Sequence, residues 1–115
     1  MTNQAPDNTK TLPEWVDLCP LEDVPSEGGR YVSVANQGLA VFRAGPDRVH
    51  VIDNTCPHAG GSLSGGFVRD GRVVCPWHGW PFDLRTGRCP DNTQIAVTTH
   101  PSRVVDGRVQ IRGPG

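Results

Sequence analysis

CPHAGGSLSGGFVRDGRVVCPWHGWPFDLRTG, residues 56–87, is the stretch that decides how this chain folds. Cys56-Pro57-His58 opens it and Cys75-Pro76-Trp77-His78 answers it, with sixteen residues between His58 and Cys75. Asp70-Gly71 stands midway, between the β-type runs Phe67-Val68-Arg69 and Arg72-Val73-Val74, and is the dipeptide of a tight hairpin. The chain therefore doubles back, which brings two loops, each with one thiolate and one imidazole, to the same end of a small sheet. Pro57 and Pro76 fix φ just after each cysteine. Gly60, Gly61 and Gly79 permit positive φ and close backbone approach, and this predicts loop N–H groups aimed at sulfur.

Outward from these loops the pattern is of short strands and turns. Tyr31–Val34, Leu39–Arg43 and Val49–Ile52 read as a meander with turns at Asn36-Gln37-Gly38 and Gly45-Pro46-Asp47. A second Asp-Gly hairpin falls between Val104-Val105 and Arg108–Ile111. Pro13 to Pro25 is a mixed stretch anchored by Trp15, Val16, Leu18 and Leu21, and the strands are expected after it. Residues 1–12 read as a flexible lead-in, and only 53–66 and 75–92 read as irregular. Fourteen valines against six leucines, with 14 glycines and 11 prolines in 115 residues, make the expected class all-β, in one domain over 13–112.

Charge excludes some functions. Eleven basic against 12 acidic residues leave a net charge of −1, without the basic excess of a nucleic-acid protein. The halves differ, about −5 over residues 1–27 and about +4 over 28–115, a contrast read as solvated surface or as help in docking a partner. No 18-residue apolar run and no basic-then-apolar leader are present, so the expectation is no membrane span and a cytoplasmic protein. In that compartment four cysteines are metal ligands or thiols rather than a disulfide framework.

Cys56, His58, Cys75 and His78 are the candidate cofactor and metal ligands. One reading is a binuclear iron–sulfur cluster with two cysteines on one iron and two histidines on the other. Two ferric ions, two sulfides and two thiolates sum to zero charge, so an electron is added more easily than to a four-thiolate cluster. The other reading is a single tetrahedral zinc ion, for which one residue between Cys56 and His58 makes a cramped chelate. An inert set of buried side chains is the third.

CPHAGGSLSGG and CPWHGWPFDLRTG resemble the two cluster-binding loops of the Rieske family, by motif over residues 56–66 and 75–87 and loosely by strand pattern over about 13–112. The resemblance implies a Rieske-type β-sandwich with a small inserted cluster-binding subdomain at about 54–90 and one 2Fe-2S cluster. By the same resemblance Cys56 and Cys75 bind the inner iron, and His58 and His78 bind the outer iron near the surface, where electrons leave. Quinol-oxidising members carry a disulfide between the loops, whereas Gly61 and Trp77 stand at those positions here. Those members also have Ser and Tyr donors where this chain has Trp80 and Phe82, so a low potential is expected.

The resemblance then implies an electron carrier, not an enzyme: a ferredoxin passing single electrons from a flavin-dependent reductase to a terminal oxygenase or similar redox enzyme. A role like that of a nitrite reductase small subunit is the alternative, and a zinc-stabilised interaction module the third. A terminal oxygenase needs a second, mononuclear iron site, for which only His50 and His100 remain, and neither is assigned a role. Cys19 and Cys89 are read as plain thiols. Arg69, Arg72, Arg85 and Arg88 are read as solvated or as steering an acidic partner. Trp77, Trp80 and Phe82 are read as packing around the loops and excluding water.

Overall fold

In the computed structural model, residues 15–57, 60–77 and 79–112 are described, so the lead-in expected over 1–12 lies outside the described residues. Twelve strands carry the described fold: β1 (Trp15–Pro20), β2 (Gly29–Val34), β3 (Gln37–Gly45), β4 (Arg48–Asp53), β5 (Phe67–Arg69), β6 (Arg72–Val74), β7 (Pro81–Asp83), β8 (Arg88–Cys89), β9 (Asn92–Ala96), β10 (Thr99–His100), β11 (Ser102–Val105) and β12 (Arg108–Arg112). They make one sheet in the order β1-β12-β11, a second in the order β10-β4-β3-β2, a third in the order β5-β6-β7, and the ribbon β8-β9. The expected all-β sandwich is therefore found, and no helix among the described residues is long and apolar enough to cross a membrane.

β3 is the centre of the architecture. Leu39, Ala40, Val41 and Phe42 are all buried, which alternation on a half-exposed strand does not allow, because both faces of β3 are covered. Leu39 and Val41 of β3, with Val49 and Val51 of β4, pack on Cys19, Val109 and Ile111 to form the sandwich core. Ala40, Phe42 and Ile52 point the other way, into a second core with Cys56, Leu63, Val73, Cys75, Phe82, Leu84, Cys89 and Val97. One strand pair is thus a wall shared by the sandwich and the cysteine-bearing loops.

Both Asp-Gly hairpins form as expected, with Asp70 and Gly71 at φ 52 and 77 and Asp106 and Gly107 at φ 51 and 74, the positive values of a primed turn. The first meander turn is centred earlier than expected. Val34 pairs with Gln37, so Ala35-Asn36 make the turn, and Gly38 lies within β3 opposite Ser33. There Tyr31 covers the glycine, with its ring 3.0 Å from where a Cβ would stand. The stretch expected before the first strand contains β1, which closes the sandwich by pairing with β12, Trp15 opposite Arg112 and Pro20 opposite Arg108. A bulge between Asp17 and Cys19 breaks the period-2 pattern, which hides this strand from a sequence reading. The stretch expected to be irregular over 75–92 likewise contains β7 and β8. Two and three residues are too few to register as periodicity.

Ala35 holds φ 51, a region costly for any residue with a Cβ. Ala35→Gly is expected to raise unfolding free energy by about 1 kcal/mol, read as a shift of the urea midpoint at constant slope.

Candidate metal centre

The two loops are built to one plan. Each is a hairpin tip: the first springs from the Thr55–Ser62 bridge, the second from β6 and β7, where Val74 pairs with Pro81. Cys56 N donates to Gly61 O at 2.8 Å, and Gly60 N donates to Cys56 O at 2.8 Å. Cys75 N donates to Trp80 O at 2.9 Å, and Gly79 N to Cys75 O at 2.9 Å, so the same two bonds recur at the same offsets. Gly60 and Gly79 hold φ +77 and +72 with open space around a notional Cβ, so conformation and not crowding makes glycine necessary there. These four N–H groups bond loop carbonyls. The expectation that loop amides aim at sulfur is corrected for them.

Asn54 clips the first loop in place. Its carboxamide Oδ1 accepts from Ser64 N at 2.8 Å, its Nδ2 donates to Ser62 Oγ at 2.9 Å, and its backbone O accepts from Leu63 N at 2.7 Å. Sequence reading missed this residue, although an Asn two positions before a loop cysteine is a usable turn signal. Past the second loop, Asp83 Oδ1 accepts from the amides of Arg85 at 2.8 Å and Thr86 at 3.1 Å. Burial alone would raise the Asp83 pKa, but these two amides, with the Arg85 and Arg72 guanidinium groups, hold it below the usual carboxylate range.

The loops meet face to face. A Cβ on Gly61 would stand 3.2 Å from Cys75 Sγ and 3.0 Å from Trp77 Cγ, so the first loop's backbone lies against the second loop's sulfur. Gly61 and Trp77, expected to replace a disulfide, are therefore neighbours. Cys56 and Cys75 are each 1% exposed, set in the core beside Leu63, Val73 and Phe82, and no disulfide forms among the described cysteines. Trp77, by contrast, is 62% exposed, and Pro57 and Pro76 are exposed as well. The expectation that Trp77 packs around the loops and excludes water thus holds only toward Gly61. Phe82 is wholly buried and Trp80 partly so, as expected of packing side chains. His58 and His78 lie outside the described residues, and among those described no group of three metal-binding side chains gathers.

Comparison with known proteins identifies the family. The Rieske [2Fe-2S] domain matches residues 14–101, and the chain belongs to that family. It is 35% identical to the anthranilate 1,2-dioxygenase ferredoxin subunit of Burkholderia cepacia over 88% of this chain and 94% of that one. It spans only 17% of the cholesterol 7-desaturase of Hemicentrotus pulcherrimus, at 32% identity over 67% of its own length. Among solved structures, a Sphingomonas yanoikuyae B1 ferredoxin superposes with TM-score 0.78 at 32% identity, covering 86% of this chain and 98% of that one. A protein provisionally named an NADH-dependent nitrite reductase small subunit, from Mycobacterium tuberculosis, superposes with TM-score 0.79 at 28% identity, covering 88% and 96%.

The family's cofactor is a 2Fe-2S cluster, and this decides between the cluster and a single zinc ion. The described residues fit it. Two soft sulfur donors on matched turns lie in one buried core, and Gly61 leaves beside Cys75 Sγ the space that any Cβ would fill.

The remaining cysteines and histidines stand apart. Cys19 belongs to the sandwich core and Cys89 to the loop core, so they do not share a site, and burial pushes the Cys19 thiol up. His100 Nε2 lies 2.7 Å from Asp53 Oδ1. His50, half-buried on β4, is pushed below its ordinary value of 6.5 by burial and by Arg48.

Gly61→Val is expected to lower iron bound per chain, while Cys19→Ala with Cys89→Ala loses only stability; iron and acid-labile sulfide assays on the purified variants check both. His50 is harder to protonate folded than unfolded, so its contribution to stability is full above about pH 6.5 and is lost as pH falls below that value. His50→Gln is expected to flatten the pH dependence of stability across that window, as read by urea midpoints.

Proposed function

We propose that the chain is a Rieske electron carrier, the ferredoxin component that takes single electrons from a flavin-dependent reductase and passes them to a terminal oxygenase or similar redox enzyme. Cys56 and Cys75 hold one iron of the 2Fe-2S cluster and His58 and His78 the other, within a subdomain of about residues 54–90 set in a single domain over 13–112. The observation that carries this reading is the pair of matched turns that sets both cysteines in one buried core with Gly61 against Cys75 Sγ. When bound, the cluster supplies a reversible one-electron couple. The chain's residues do the rest. Loop hydrogen bonds fix the cysteines, Leu63, Val73 and Phe82 keep water from the thiolates, and the exposed rim at Pro57, Pro76 and Trp77 offers a contact surface close to the site. The chain itself makes and breaks no substrate bond, and it works in the cytoplasm.

Phe82 is buried and has no hydroxyl to donate to sulfur, which supports a potential at the lower end of the Rieske range of roughly −150 to +300 mV. The likeness to the Mycobacterium tuberculosis structure supports a second reading, the small-subunit partner of a nitrite reductase. Co-purification with a sirohaem enzyme rather than an oxygenase separates the two.

A potentiometric titration of anaerobically purified protein, followed by electron paramagnetic resonance, tests the proposal. A Rieske-type signal with a potential near or below about −100 mV is expected, lost on replacing Cys56, His58, Cys75 or His78 with Ala. A potential well above zero overturns the low-potential reading, and a signal that survives any of the four replacements overturns that ligand.

A further inference from the structure

The two cysteine turns share their inner hydrogen bonds but not their stems. The second turn stands on a ladder, since β6 and β7 pair Arg72 with Asp83, Val73 with Phe82 and Val74 with Pro81 before Cys75 begins. The first stands on one isolated bridge, Thr55 with Ser62, below which the chain parts into Asn54 on one side and the 3-10 turn Leu63–Gly65 on the other. A stem of one pair has little to fix its register. Asn54 supplies the missing cross-links. Its Oδ1 accepts from Ser64 N at 2.8 Å and from Ser62 Oγ at 3.3 Å, and its Nδ2 donates to Ser62 Oγ at 2.9 Å. Its backbone O accepts from Leu63 N at 2.7 Å, and its backbone N donates to Gly38 O of β3 at 3.0 Å. Both sides of this clip are anchored. Asp53 N donates to Thr98 O at 2.9 Å, while Asp53 Oδ1 accepts from Gln37 Nε2 at 2.9 Å and lies 2.7 Å from His100 Nε2. On the other side, a Cβ on Gly29 of β2 would stand 2.9 Å from Ser64 Cα, so the 3-10 turn already rests on β2. Ser62 is exposed and Asn54 half-buried, so water could satisfy these side chains, and their bonds do more for local geometry than for global stability.

We propose that Asn54 is the positioning residue of the first cysteine turn: by bonding Ser62, Leu63 and Ser64 it stands in for a strand ladder and fixes Cys56 in register with Cys75. The inference rests on the carrier reading and deepens it, because a carrier that is reduced and reoxidised needs sulfur donors that stay in place as the charge between them changes. The side chain suits the task. Aspartate at this position still accepts from Ser64 N, and the Ser62 hydroxyl turns to donate to its second oxygen, whereas alanine offers neither contact.

The test compares holoprotein carrying Asn54→Ala, Asn54→Asp or Ser62→Ala with the native chain and with Val109→Ala, a truncation in the sandwich core that lowers stability without touching the turns. Amide hydrogen exchange over residues 54–66, read by mass spectrometry, is expected to quicken about tenfold in Asn54→Ala and less in Ser62→Ala. It stays native-like in Asn54→Asp and Val109→Ala. Electron paramagnetic resonance of the reduced cluster, read on molecules that keep it, is expected to show an altered g anisotropy in Asn54→Ala and the native one in Asn54→Asp. An iron chelator strips Asn54→Ala several-fold faster than the native chain. Exchange and spectrum unchanged in Asn54→Ala, the same changes in Val109→Ala, or no recovery in Asn54→Asp overturn the inference. If Asn54→Ala does not fold, Ser62→Ala, at an exposed position, decides by the same readings. A folded native chain without a cluster signal overturns instead the carrier reading, and hydrogen exchange then decides the role of Asn54 by itself.

Discussion

Two thiolate-bearing turns have to share one dry volume, and the doubly covered wall of β3 and β4 provides it. Leu39, Val41, Val49 and Val51 commit one face of that wall to the sandwich, while Ala40, Phe42 and Ile52 commit the other to the loop core. A cluster pocket built on loops alone would leave its backbone groups and thiols in water. Here the loops are short tips on hairpins whose inner residues are already packed against a strand pair rigid from both sides. Closing the sandwich with β1 on β12 therefore matters to the cysteine loops, because it covers the far face of the wall.

Within the loops, chemistry and conformation divide the work. Cysteine and histidine are the donor types a binuclear iron centre with raised potential needs, while the glycines serve geometry in two different ways. Gly60 and Gly79 supply positive φ with nothing crowding them, and Gly61 supplies the missing Cβ against Cys75 Sγ. The four hydrogen bonds that repeat between the loops fix both turns around the cysteines.

The candidate donors were more legible in sequence than the fold that carries them. Cys56, His58, Cys75 and His78 stood out because their types and spacing, with Asp70-Gly71 between, are locally encoded and hard to produce by packing alone. The Asp-Gly hairpins were equally readable, since a primed turn needs positive φ that few residues tolerate. β1 was not, because the bulge at Asp17–Cys19 scrambles its alternation and its partner β12 lies at the other end of the chain. The turn at Ala35-Asn36 was read one position late because Gly38 looked like the turn residue, whereas Tyr31 covers it inside a strand.

What the sequence by itself determined was the class of cofactor, the predominance of strands and the two hairpins that fold the loops back, and it singled out a candidate donor set. These depend on residue type and short spacing. Only the tertiary structure decided that Leu39–Phe42 is buried on both faces, that Gly61 rests on Cys75, that Cys19 and Cys89 belong to different cores, and that Arg69 and Arg72 lie side by side on an open face. Each of these depends on strand register and on which sheet covers which. Such pairings join residues far apart in the chain, and no local pattern records them.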